Sequence, residues 1–149
     1  MPTKEAILKS CEILVAKRVA DIQEAMAASR EAANNETKSS AGDKYETTRA
    51  MMHFELEKLS GQLNEAEKLR EALFQIAEAP CTSTINLGNV ITTNTATYFL
   101  GIGLGKINVE NESVFAISTA SPIGQLLLGK SFGDEIVFNN TTQQILSVY

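Results

Sequence analysis

Residues 45 to 79 read YETTRAMMHFELEKLSGQLNEAEKLREALFQIAEA, and this stretch decides the fold. Met52, Leu56, Leu59, Leu63, Ala66, Leu73 and Ile76 keep a heptad stripe along one side of a helix, broken once at Arg70. Gly61 interrupts it at a cost of about 1 kcal/mol relative to alanine. A helix with such a stripe cannot bury it alone, so a partner is required.

The partner lies upstream. From Lys4 to about Ala33 there is neither Gly nor Pro, and Ile7, Cys11, Leu14, Ile22, Ala25 and Ser29 follow a mixed spacing of three and four. Arg18 falls on that stripe as its clearest fault, and Ser29 is a milder one. Between the two helices, residues 34 to 42 (NNETKSSAG) form a polar stretch rich in turn formers. Two long helices joined by a short polar loop are expected to fold back on each other as an antiparallel hairpin, roughly 45 Å long at 1.5 Å per residue.

Downstream of Pro80 the pattern changes. Of the 31 charged residues, 25 lie in the first 80 positions. Beyond them come runs rich in β-branched and aromatic residues: 84 to 92, 95 to 102, 113 to 118, 134 to 138 and 143 to 148. These predict five strands. A short helix interrupts them, with Ser121 as N-cap, Pro122 in the first turn, a body from Ile123 to Leu128 and Gly129 as C-cap. The expected class is α+β, with a coiled-coil hairpin over residues 1–80 and a small β-rich domain over residues 81–149.

Composition narrows the function. Net charge is −5, with 11 basic and 14 acidic residues in the first 80, so neither half offers the basic face that independent DNA binding requires. No apolar run approaches the length of a membrane span and the N-terminus lacks a signal-peptide core, so a cytoplasmic protein without membrane association is expected. Cys11 and Cys81 are too far apart on the hairpin register to bridge and lack zinc-ligand spacing. His53, the only histidine, has no nucleophile or metal partner at a recognisable spacing. The run 101 to 106 (GIGLGK) has the wrong spacing for a nucleotide loop, and a tight turn or bulged strand is expected.

Two segments carry candidate chemistry. Asp43 and Glu46 stand three residues apart at the opening of the second helix, on adjacent turns of one face. They fit an aspartate version of a capping box. They also fit Mg²⁺, which takes one or two carboxylates and fills its other positions with water and phosphate oxygens, provided a second molecule completes the ligand set. The other segment, residues 117 to 124 (ISTASPIG), is followed by LLGK at 127 to 130, GDE at 133 to 135 and a closing ILSVY at 145 to 149.

That order, with IS-x-x-SPIG at its head, resembles the C-terminal domain of the Gre transcript cleavage factors, over roughly residues 81 to 149. The resemblance implies an FKBP-like fold for this domain. The family also carries an N-terminal coiled-coil hairpin whose tip reads Gly-Asp-Leu-x-Glu-Asn-Ala-Glu-Tyr. Gly42, Asp43 and Glu46 match it, whereas Lys44, Thr47, Thr48, Arg49 and Ala50 depart from it. In that family the hairpin enters the secondary channel of RNA polymerase, and the tip acids help to hold the second catalytic Mg²⁺ for hydrolysis of the nascent RNA 3′ end in a backtracked complex.

By resemblance, then, Asp43 and Glu46 are the metal-holding acids and Ser121, Pro122, Ile123 and Gly124 the docking face, with simple helix capping as the alternative for these four. The expected activity is stimulation of the polymerase's own nuclease; the chain is not an enzyme by itself. A channel-binding regulator without cleavage, using Lys44 and Arg49 to change the tip's charge, is the first alternative. A peptidyl-prolyl isomerase, suggested only by the implied fold, is the second. The chain has no Trp to floor a proline pocket.

Overall fold

The computed structural model describes the backbone of residues 1–39 and 43–149, and the side chains of residues 1–35 and 46–149. Two helices come first, α1 (Lys4–Ser39) and α2 (Asp43–Ala77). The strands β1 (Val90–Thr93), β2 (Thr97–Gly101), β3 (Gly105–Val109) and β4 (Glu112–Ser118) follow, then α3 (Pro122–Leu127), β5 (Glu135–Phe138) and β6 (Thr141–Val148). The class is α+β. The chain divides into two compact units, Leu14–Arg70 and Met1–Ile13 with Glu71–Tyr149, so both long helices contribute residues to each.

In the unit Leu14–Arg70, Val19, Ile22 and Met26 of α1 pack with Leu59 and Ala66 of α2, and Ala25, Leu56 and Leu63 close around them. Leu14 shares a groove with Leu69, and Ala33 shares another with Met52, so the helices run antiparallel. The α2 stripe is the one read from the sequence. The α1 stripe differs: Val15, Val19, Ile22 and Met26 are buried, whereas Leu14 is 42% exposed. Arg18 therefore does not break the seam, because the buried line passes through Val15 and Val19 on either side of it. Helix α1 also continues through residues 34 to 39, where a loop was expected. Asn, Glu, Thr, Lys and Ser are only mildly unfavourable in a helix, and no Gly or Pro occurs there to stop it. Thr3 caps its start, accepting a hydrogen bond at Oγ1 from the Ala6 amide at 3.1 Å.

The second unit is built on a six-stranded mixed sheet, in the order β3-β4-β2-β1-β6-β5. Only β2 and β4 pair in parallel. Strand alternation separates its two faces. Ile91, Tyr98, Leu100, Ile136 and Ile145 point to the side where Ile123 and Leu127 of α3 complete a core with Ile85. Each such aliphatic side chain contributes about 1.5–3 kcal/mol when fully buried. Val90 and Phe99, paired across β1 and β2 and both fully buried, belong to the opposite face. The helix ends of this unit meet that face. A Cβ on Gly101 would come within 3.1 Å of Ile76 Cδ1, and the Tyr149 hydroxyl donates to the Pro2 carbonyl at 2.8 Å.

Six strands replace the five expected. The added one, β3, pairs with β4 through a turn at Glu110 and Asn111, whose φ values of 51° and 67° supply the left-handed twist that Gly usually provides. The expected strand at 84 to 92 begins only at Val90. The Asn89 side-chain oxygen accepts from the Asn86 amide at 2.8 Å, closing a turn, and Thr84 makes only an isolated bridge to Ser131. In the stretch 101 to 106, Gly101 ends β2 and Gly105 opens β3, and residues 102 to 104 link them across the end of β4, so neither a tight hairpin turn nor a following helix is formed. No helix among the described residues is long and apolar enough to cross a membrane.

Candidate functional site

Helix α2 takes Asp43 as its first residue. Gly42 and the Asp43 side chain lie outside the described residues. Glu46 is described, and it is exposed. It shares an open groove of about 600 Å³ with Arg49, Met52, His53 and Leu56 of α2 and Ala33 of α1. Arg49, three residues after Glu46, sets a guanidinium one turn further along the same side of the helix. Beyond it, His53 Nε2 lies 3.2 Å from Glu57 Oε1, an ion pair when the imidazole is protonated. The groove therefore mixes one carboxylate, one permanent cation and one titratable ring over an apolar floor.

Among the described residues no group of three or more His, Cys, Asp or Glu side chains is gathered to hold a metal. An exposed carboxylate such as Glu46 is a hard oxygen donor suited to Mg²⁺, and the ion needs only one or two of these from a protein.

The second segment lies in the sheet unit, where β4 ends and α3 begins. The Ser121 hydroxyl donates to the Ser118 carbonyl at 2.7 Å and accepts from the Gly124 amide at 3.1 Å. One side chain thus ties the strand end to the first turn of the helix. Gly124 has a steric reason of its own, since a Cβ there would collide with the Ser118 carbonyl. Pro122 occupies the first helical position, where its missing N–H costs nothing. Leu128 serves as C-cap and Gly129, at φ 81°, follows it, so α3 ends one residue earlier than expected.

The four residues expected as a docking face do not share one environment. Pro122 is exposed and Ser121 half-buried, while Ile123 and Gly124 are buried. The surface of this segment therefore consists of Ser121 and Pro122, with Gln125 and Leu126 beside them. No family model matches the chain, and no curated protein matches it significantly.

Sequence reading passed over Phe132, 74% exposed in the turn between α3 and β5, and over Met51 and Phe54 on α2, 66% and 70% exposed. The signal for the α2 pair was present. Positions 51, 54, 58, 61 and 65 repeat at three and four, a second heptad stripe on the side of α2 away from the buried one.

Proposed function

We propose that the chain is a transcription elongation factor of the Gre type. It reaches into the secondary channel of RNA polymerase with an antiparallel coiled-coil hairpin and stimulates Mg²⁺-dependent cleavage of backtracked RNA. Residues 81–149 form an FKBP-like domain that docks outside the channel, and the protein works in the cytoplasm. The observation that carries this is the exposed Glu46 in the first turn of α2, three residues after Asp43, on a helix whose other end runs into a unit spelled IS-x-x-SPIG, LLGK and GDE. The antiparallel packing of α1 on α2 and the Ser118–Ser121–Gly124 lock at the head of the motif support it further.

Asp43 and Glu46 would hold Mg²⁺ jointly with carboxylates of the polymerase, and Asp43 and Glu46 alone would bind it weakly. The ion, when bound, supplies charge stabilisation at the phosphodiester and a water of lowered pKa. The part played by this chain is to present two carboxylates at a fixed helical spacing, with Arg49 one turn beyond Glu46 available to a phosphate oxygen.

A second function, occupation of the channel without cleavage, is favoured by that same Arg49. A guanidinium beside Glu46 lowers the net negative charge offered to a cation. The two are separated by adding the protein to a purified elongation complex halted in a backtracked state. Faster release of short 3′ RNA fragments marks the cleavage factor. Slower elongation with no released fragments, together with displacement of a known cleavage factor, marks the regulator. Absence of polymerase binding would eliminate both.

A further inference from the structure

The second stripe on α2 faces solvent along its whole length, yet it is not uniformly polar. Its positions are Met51, Phe54, Lys58, Gly61 and Glu65, which places two large exposed apolar side chains at one end and a residue without a side chain near the other. Leu56, Leu59, Leu63 and Ala66 meet α1, so this stripe lies on a different face of α2. Gly61 has no packing reason to be glycine, because a Cβ there would meet nothing within 4 Å. It opens a groove of about 750 Å³ that Lys58 and Glu65 line with Leu14 and Arg18 of α1. A mid-helix glycine costs about 1 kcal/mol relative to alanine, and only an occupant of the groove would give that cost a use.

The stripe is complementary to itself. If a second α2 is laid antiparallel, with a two-fold axis level with Leu56, Met51 comes opposite Gly61 of the second copy and Phe54 opposite Lys58 of the second copy. Symmetry makes each contact twice. The knob then faces the hole, and the phenyl ring faces an ammonium group, a favourable cation–π pair. Lys58 also comes beside Glu55 of the second copy. Neither residue has an ion-pair partner in its own chain among the described residues. A parallel pairing would instead set Met51 on Met51 and Gly61 on Gly61, leaving a void; like charges do not decide between the two, since parallel pairing sets Lys58 on Lys58 and the antiparallel axis brings Glu55 to Glu55 and Glu57 to Glu57.

We propose that the face of α2 from Met51 to Glu65 is a self-association surface on which two copies of this chain pair antiparallel, with Met51 and Phe54 of each seated on Gly61 and Lys58 of the other. This goes beyond the polymerase function and uses neither Asp43 nor Glu46.

Sedimentation equilibrium of the full chain over loading concentrations from about 1 to 500 µM tests it, the span in which associations of this strength show. A monomer–dimer equilibrium is expected. Phe54→Glu and Gly61→Leu should each raise its dissociation constant at least about tenfold while circular dichroism shows the helices intact. Both positions are exposed, so neither variant disturbs a packed core. Orientation is read by cross-linking in a Cys81→Ser background, where a chain carrying Met51→Cys is mixed with one carrying Gly61→Cys and oxidised. Disulfide-linked dimers should form in the mixture and not from either chain alone. A monomer at every concentration would overturn the proposal. So would a dimer unmoved by both substitutions, or cross-linking of the Met51→Cys chain to itself.

Discussion

Cys11 and Cys81 sit in opposite surroundings, one fully buried in α1 and one exposed after Pro80. Burial, reinforced by Glu12, pushes the Cys11 thiol from 9.0 up to about 11. A thiol-specific reagent at neutral pH should therefore modify one cysteine quickly and the second only as the protein unfolds. The sign of the pH effect follows from the neutral thiol being the form the fold accommodates. The stabilising term is complete below the unfolded value near 9 and is lost as pH rises through about 11, roughly 3 kcal/mol at most. Denaturant midpoints measured from pH 8 to 11 should show this loss, and a Cys11→Val variant should lack it. At the other residue-scale feature, Ser121→Ala should cost about 1 kcal/mol through the lost cap. Gly124→Ala should cost about 2 kcal/mol or more, because the Ser118 carbonyl must move. Thermal denaturation measures both, and a neutral Gly124→Ala would contradict the close approach.

At the scale of elements, two buried polar groups show what periodicity cannot. The Gln143 Oε1 accepts from Thr93 Oγ1 at 2.8 Å and from the Tyr98 hydroxyl at 3.0 Å, joining β1, β2 and β6 inside the sheet unit. Gln143→Leu should cost about 1–3 kcal/mol by leaving the Tyr98 hydroxyl without an acceptor, as read from the denaturant midpoint. On α2, Gly61→Ala should raise stability by about 0.5–1 kcal/mol, since nothing packs against the added methyl. The long helices were legible because heptad spacing is a local signal, and α3 because Ser121, Pro122 and Gly129 punctuate it. Strand β3 was not, because its hairpin turn is made by Glu110 and Asn111: Asn adopts positive φ readily, but Glu does not, and no Asn-Gly or Asp-Gly pair marks the turn. The α1 seam was misplaced for a related reason. Leu14 and Val15 are both apolar, and only packing against α2 decides which of them is inside.

For the whole molecule, the boundary at Pro80 in charge density separates the two long helices from the strands, yet the compact units divide within the helices. Tertiary packing accounts for this. Ile7, Cys11, Leu73 and Ile76 are buried in the unit that holds the sheet, although they belong to the same helical stripes as Val19 and Leu59 in the other. The candidate site was legible only as a pair of residue identities at a helical spacing. Whether two carboxylates cap a helix or serve a partner depends on a second molecule, which a single sequence does not encode. The decisive measurement is release of 3′ RNA fragments from a backtracked RNA polymerase complex in the presence of Mg²⁺, compared between the native chain and one carrying Asp43→Asn with Glu46→Gln, with polymerase binding measured alongside. The native chain should accelerate release by at least about tenfold and the double variant should bind without accelerating it, a loss of the size expected when a transition-state ligand is removed. Equal acceleration by both chains, or none by the native chain, would contradict the assignment of the tip acids.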